Sequence, residues 1–88
     1  MTPDPKHLDA VHRALEIRAM LRSGGVLLSA RERECLLWVA EGKTTADIGT
    51  ILDLSDKSIE HYLASARQKL NAINTAQALT QALRLGLL

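Results

Sequence analysis

The stretch TTADIGTILDLSDKSIEHYLASARQKL, residues 44–70, decides the fold. Its first half carries Ile48, Gly49, Ile51 and Leu52 as an inward set, and its second half carries Ile59, Leu63, Ala66 and Leu70. Spacings of three, four and seven place such residues on one face of a helix. Asp53 breaks the chain between the two sets, and Asp tolerates left-handed backbone better than most residues. Thr44 or Thr45 caps the first helix, and Ser55 caps the second, which runs over about 56–70. Gly49 falls where a second helix crossing steeply needs a small residue, so that the backbones can approach. Leu54 lies in the turn and plugs the angle between the helices. Ile59 follows five residues later and packs back onto Ile48 and Leu52. These intervals are the geometry of a helix-turn-helix, whose second helix turns its outer, N-terminal face to the DNA major groove.

Working outward, the same punctuation recurs. Ser29-Ala30-Arg31-Glu32 is a capping box, with a hydroxyl at the cap and a carboxylate three residues later. Cys35, Leu36, Val39 and Ala40 form the inward stripe of the helix it opens, and Gly42 closes that helix in left-handed geometry. Asn74-Thr75-Ala76-Gln77 reads as a second box, opening a helix that bears Ala78, Leu79, Ala82 and Leu83 and ends near Gly86. Upstream, Asp4-Pro5 is a cap followed by proline at the first helical position, where its missing N–H costs nothing. Leu8, Val11 and Leu15, widened by Ile17, Met20 and Leu21, predict an appended helix over 5–22, ended by Gly24-Gly25. Residues 23–28 are the linker candidate. No strand-like alternation of useful length and no internal repeat is present.

The composition agrees with packed helices. The chain is 88 residues long, its hydrophobic 47% is carried by Leu, Ala, Ile and Val, and its aromatics are only Trp38 and Tyr62. The length allows one domain. A chain this short buries only about 60% of the surface it exposes when unfolded, so it is marginal unless stapled or oligomeric. The single Cys35 excludes an internal disulfide and is too few for a protein-only zinc site. No apolar run approaches the roughly 18–20 residues that span a bilayer, and residues 1–5 lack a signal peptide's basic start and apolar core. There is no nucleophile-base-orienter set, no phosphate loop and no paired carboxylate with a cleft, so no enzyme, cofactor or metal site is expected.

With these residues in view the sequence resembles a known family. Leu28-Ser29-Ala30-Arg31-Glu32-Arg33-Glu34-Cys35-Leu36-Leu37-Trp38-Val39-Ala40-Glu41-Gly42-Lys43-Thr44 is similar to the opening of the LuxR-type (GerE, or FixJ/NarL-like) DNA-binding domain. Ile48, Leu54-Ser55, Ile59, Leu63, Arg67-Gln68-Lys69-Leu70 and Asn74-Thr75-Ala76-Gln77-Ala78 continue the match, which covers residues 27–88. The resemblance implies an all-α, four-helix bundle, here preceded by the appended helix and Gly-Gly linker of residues 1–26. It implies that the helix at 56–70 reads DNA and the last helix forms a dimer surface. Carried over residue by residue, the groove-facing positions are Lys57, Ser58, Glu60, His61 and Ala64. Family members often carry Lys or Arg where this chain has Glu60 and Ala64, so the bidentate cation used for guanine is absent there. Glu60 can instead accept from a cytosine amino group and His61 can donate to guanine; the competing reading pairs Glu60 with Lys57 inside the helix. Thr44 and Thr45, with free N–H groups and Lys43 beside them, offer a phosphate site. Arg67 and Lys69 can reach the flanking strand. Tyr62 either hydrogen-bonds a phosphate or is an aromatic half-buried against its neighbour. Ala76, Leu79, Ala82 and Leu83 are the expected dimer contact.

Several residues have simpler readings. Cys35, on the inward stripe, reads as a small core residue rather than a redox sensor. His7 and His12 lie about 140° apart around a helix and cannot share a metal on one face. Arg31-Glu32-Arg33-Glu34 reads as a solvated first turn, with Glu34 matching a family glutamate that bridges to the reading helix. Leu37 stands where the family is usually polar, beside Trp38. Leu8, Val11, Leu15 and Met20 are expected to cover this pair, or to pair with the same helix of a second subunit.

The expected function is therefore a dimeric, sequence-specific transcription regulator that binds double-stranded DNA in the bacterial cytoplasm. The 26 residues ahead of the domain cannot hold a receiver or autoinducer-binding domain, so the chain is expected to be a stand-alone regulator or a fragment of something longer. The alternative is an interaction protein that pairs with a full-length LuxR-type relative and inhibits it. The formal net charge of +1 does not oppose DNA once divided by region: residues 1–28 carry +1, residues 29–70 carry −1, and Arg84 adds the last cation. Lys43, Lys57, Arg67 and Lys69 lie at the expected DNA face, whereas Glu32, Glu34 and Glu41 lie on the helix behind it.

Overall fold

The computed structural model describes residues 5–22 and 24–88. Side chains of the first segment are described for residues 10–18 and Leu21. Among the described residues five helices follow in order: α1 (Pro5–Arg22), α2 (Ala30–Ala40), α3 (Thr45–Leu52), α4 (Asp56–Lys69) and α5 (Thr75–Arg84). Their boundaries follow from their caps. The Ser29 hydroxyl accepts from the Glu32 N–H while the Glu32 carboxylate accepts from the Ser29 N–H at 2.7 Å, closing the expected box. Thr44 and Asp47 close a second box at the start of α3. Ser55 caps α4, and Asn74 caps α5 through Oδ1. Gln77 departs from the expected box, because its side chain accepts from the N–H of Ile73 rather than from the cap residue. Gly42, at φ 83°, turns the chain out of α2, and Asp53, at φ 56° and ψ 48°, does the same after α3. Asp4, the expected cap of α1, lies outside the described residues.

Helices α2, α3 and α5 pack around α4. Leu36, Ile48, Ile59 and Cys35 are fully buried, and Leu28, Leu63, Ala66, Leu70, Ala78, Ala82 and Leu87 complete the core. Trp38, Val39, Leu52, Leu54 and Tyr62 pack against it partly buried. Gly49 is where the two helices of the turn nearly touch. An added Cβ would stand 2.6 Å from the Leu54 carbonyl oxygen and 3.3 Å from an Asp56 carboxylate oxygen. The Leu54 N–H donates back to the Gly49 carbonyl at 2.8 Å, which fixes the turn.

Four expectations need correction. Ile51 is 43% exposed, because it lies about 60° from Ile48 around the helix while Leu52 lies only about 40° away, within reach of α4. Ala40, at the last position of α2, is exposed. Glu32 is not solvated: it is 2% exposed and begins the inward stripe continued by Cys35, Leu36 and Val39. Leu37 is exposed, and so are Val11 and Leu15, so these α1 residues do not cover it. Instead His12, Leu15, Glu16 and Arg18 of α1 border a cleft whose opposite wall is Leu27, Leu28, Arg33 and the chain's last residues. The side chains of Leu8 and Met20 lie outside the described residues.

Candidate nucleic-acid interface

Helix α4 begins at Ser55, whose hydroxyl accepts from the Ser58 N–H and donates to the Ser58 hydroxyl at 3.0 Å. Ser58 is therefore half-buried and engaged in the cap. One face of α4, Ile59, Leu63, Ala66 and the following Leu70, is sunk in the core. The opposite face presents Lys57, Glu60, His61 and Ala64, all exposed, at the i, i+3, i+4 and i+7 spacing of one helical stripe. These four border a shallow cleft of about 510 Å³ with Thr45 from the start of α3 and Arg67 and Thr75 at the other end. The cleft thus gathers five cationic, acidic or hydroxyl-bearing residues and the His61 imidazole from three helices around the outer face of α4. Tyr62 is half-buried against the core, with its ring edge-on to His61 at 6.0 Å between centroids.

Lys57 and Glu60 do not pair: among the described residues the ion pairs are Arg31–Glu34 and Lys69–Glu32. The second pair corrects an expectation. Glu34 bonds within its own helix to Arg31 at 3.1 Å, on the surface. It is Glu32 that reaches α4, accepting from the Lys69 ammonium at 2.7 Å. Burial alone would raise the Glu32 carboxyl, but bonds from Lys69, Ser65 and Ser29 overcome it and hold the pKa down to about 2. One donor of the Lys69 head group is thereby taken. Arg67 donates to the Thr75 hydroxyl at 3.0 Å, linking α4 to the first turn of α5.

At the start of α3 the Thr44 hydroxyl accepts from the Asp47 N–H and the Thr44 N–H donates to the Asp47 carboxylate, so the Thr44 N–H is not free as expected, and these bonds lower the Asp47 pKa. The sequence reading missed Asp47, although Thr44-Thr45-Ala46-Asp47 has the spacing of a capping box. It also missed Thr75, whose partner Arg67 lies eight positions away. Lys43 and Thr44 are exposed, and Thr45, half-buried, borders the cleft.

On α5, Ala76 and Leu83 are exposed, Leu79 is half-buried, and Ala82 is fully buried within the chain's own core. Ala82 therefore has no side-chain surface to offer a second subunit. Cys35 is buried, and desolvation raises its thiol pKa, as suits a core residue.

Residues 26–82 match the family described as bacterial regulatory proteins, luxR family. The chain is 35% identical over 71 residues to the transcriptional activator protein LuxR of Aliivibrio fischeri, covering 81% of this chain and 28% of that protein. It is 43% identical over 61 residues to the transcriptional activator protein AnoR of Acinetobacter nosocomialis, covering 69% and 26%. To the transcriptional activator protein BjaR1 of Bradyrhizobium diazoefficiens it is 36% identical over 81 residues, covering 89% and 34%. The chain spans about a quarter to a third of the length of these relatives.

Proposed function

The chain belongs to the luxR family of bacterial regulatory proteins, and from that membership we propose that it is a sequence-specific DNA-binding regulator of transcription. The observation that carries the proposal is the two-faced α4: a stripe of Lys57, Glu60, His61 and Ala64 is exposed while its other face anchors the core. In this reading α4 enters the major groove, and residues 27–88 form the DNA-binding domain, with 1–26 an appended helix and linker. Lys57, Glu60 and His61 meet base edges, with Ser58 at the rim through its shared cap hydroxyl. Lys43, Thr44, Thr45 and Arg67 hold the backbone, the Tyr62 hydroxyl donates to a phosphate, and Lys69 reaches a phosphate only through the part of its head group not taken by Glu32. The cytoplasm, where bacterial DNA lies, is the matching location. Among the described residues no helix is long and apolar enough to cross a membrane.

Dimerisation belongs to the same proposal. The outer face of α5, with Ala76, Leu79 and Leu83, supplies the contact, so that two α4 helices meet half-sites about one helical turn apart. A second reading shares this surface: the same face of α5 pairs with a larger relative and blocks it. It is favoured by Asp56 and Glu60, both exposed on α4, whose charge opposes a polyanion. Mobility shift of the purified protein on a pool of promoter fragments separates the two. Salt-dependent shifts support the regulator, with a slope of log affinity on log salt of about −3 per protomer for three phosphate cations. Absence of any shifted fragment at low salt defeats it.

A further inference from the structure

We propose that Glu60 sets the operator sequence by accepting a hydrogen bond from a cytosine amino group, and that its charge suppresses binding to DNA lacking that base. The proposal rests on the reading that α4 enters the major groove. Its ground is the electrostatics of the outer stripe. Glu60 is exposed in the middle of that stripe and borders the same cleft as Lys57, His61 and Ala64. Its carboxylate is neither hydrogen-bonded nor ion-paired among the described residues, although Lys57 stands one turn earlier on the same face. The negative charge therefore meets DNA unneutralised.

An ionised carboxylate can only accept hydrogen bonds. Pressed toward a polyanion it is repelled, and entering a groove strips its water, so a donor must replace what is lost. The major groove offers two kinds of amino donor: cytosine N4 and adenine N6. Adenine sets the N7 acceptor beside its amino group, a pattern that suits Gln or Asn and opposes a second carboxylate oxygen. Cytosine is the base a carboxylate accepts from. Ala64, one turn further along the stripe, leaves the helix free to lie close to the base edges, and its methyl suits contact with a thymine methyl. The same carboxylate is thus a recognition group at the right base and an obstacle at every other. A domain with so few free cations gains discrimination by this route without gaining general affinity.

The test uses the full chain. Wild type, Glu60→Gln and Glu60→Ala are each taken through binding-site selection from random duplexes. Affinity is then measured by fluorescence anisotropy on the selected duplex, on the duplex with the fixed cytosine replaced, and on a scrambled duplex. Glu60 is on the surface, and an unchanged helical circular dichroism spectrum verifies the fold of each variant. Wild type is expected to fix a cytosine at one position and to discriminate against its replacement by about 5- to 150-fold. Glu60→Ala loses both and binds the scrambled duplex more tightly than wild type; Glu60→Gln shifts the preference toward adenine. A Glu60→Ala variant that selects the wild-type sequence with undiminished discrimination overturns the assignment to Glu60 alone. A wild-type chain that enriches no duplex overturns the DNA reading together with it.

Discussion

Glu32 is the charged side chain buried in the described core, and its environment makes a quantitative demand. Its carboxylate caps α2 and holds Lys69, and its pKa falls from an ordinary 4.5 to about 2. A depressed carboxyl stabilises the fold above the unfolded pKa and loses that contribution as pH falls through the folded one. Stability should therefore decline between about pH 5 and 2, by on the order of 3 kcal/mol. Urea unfolding across that range checks it: Glu32→Gln should be less stable at neutral pH and should flatten the acid dependence. Gly49 makes a second demand. Because a Cβ there meets the Leu54 carbonyl at 2.6 Å, Gly49→Ala must force the turn apart. The expected cost is about 1–3 kcal/mol, read as a lower urea midpoint at unchanged slope.

At the scale of elements, the ends of the helices were the readable part, because caps act over three residues. Ser29 with Glu32 and Ser55 with its following turn stand as written in the chain. Asn74→Ala should remove the bond to the Gln77 N–H and cost about 1 kcal/mol, seen as a lower thermal midpoint. The inward faces were readable where one partner covers one stripe, as on α4. They were misread where tertiary packing chooses. The choice between Glu32 and Glu34 depends on Lys69, 37 positions away, which no local pattern announces. Yet Glu32 does lie three and four positions before Cys35 and Leu36, so the stripe itself held the clue. Ile51 failed for the opposite reason: α3 is eight residues long and shows a single face to α4. Of the proposed DNA-facing set, the exposed stripe on α4 was legible from the same periodicity. The engagement of Arg67 with Thr75 and of Lys69 with Glu32 was not, because each crosses between elements.

For the molecule as a whole, none of the described α1 side chains belongs to the core that the other four helices share. Its described apolar residues Val11, Leu15, Ile17 and Leu21 are all exposed. Removing residues 1–24 should therefore change stability by less than about 1 kcal/mol, which is at most about 4–8 °C in the thermal midpoint. Hydrogen exchange around Leu37 should be the same with and without them; a large loss of protection there would reveal packing by α1. The local caps of α2, α3, α4 and α5 have one more consequence, and it concerns time. Each of these helices is secured at its start by a residue within three positions, so it can nucleate without waiting for a distant segment to arrive. Small helical domains whose contacts are mostly local fold in microseconds to milliseconds. The Glu32–Lys69 bridge, which spans 37 positions, is expected to close late in that process, where interactions govern how slowly the native state comes apart rather than how quickly it forms.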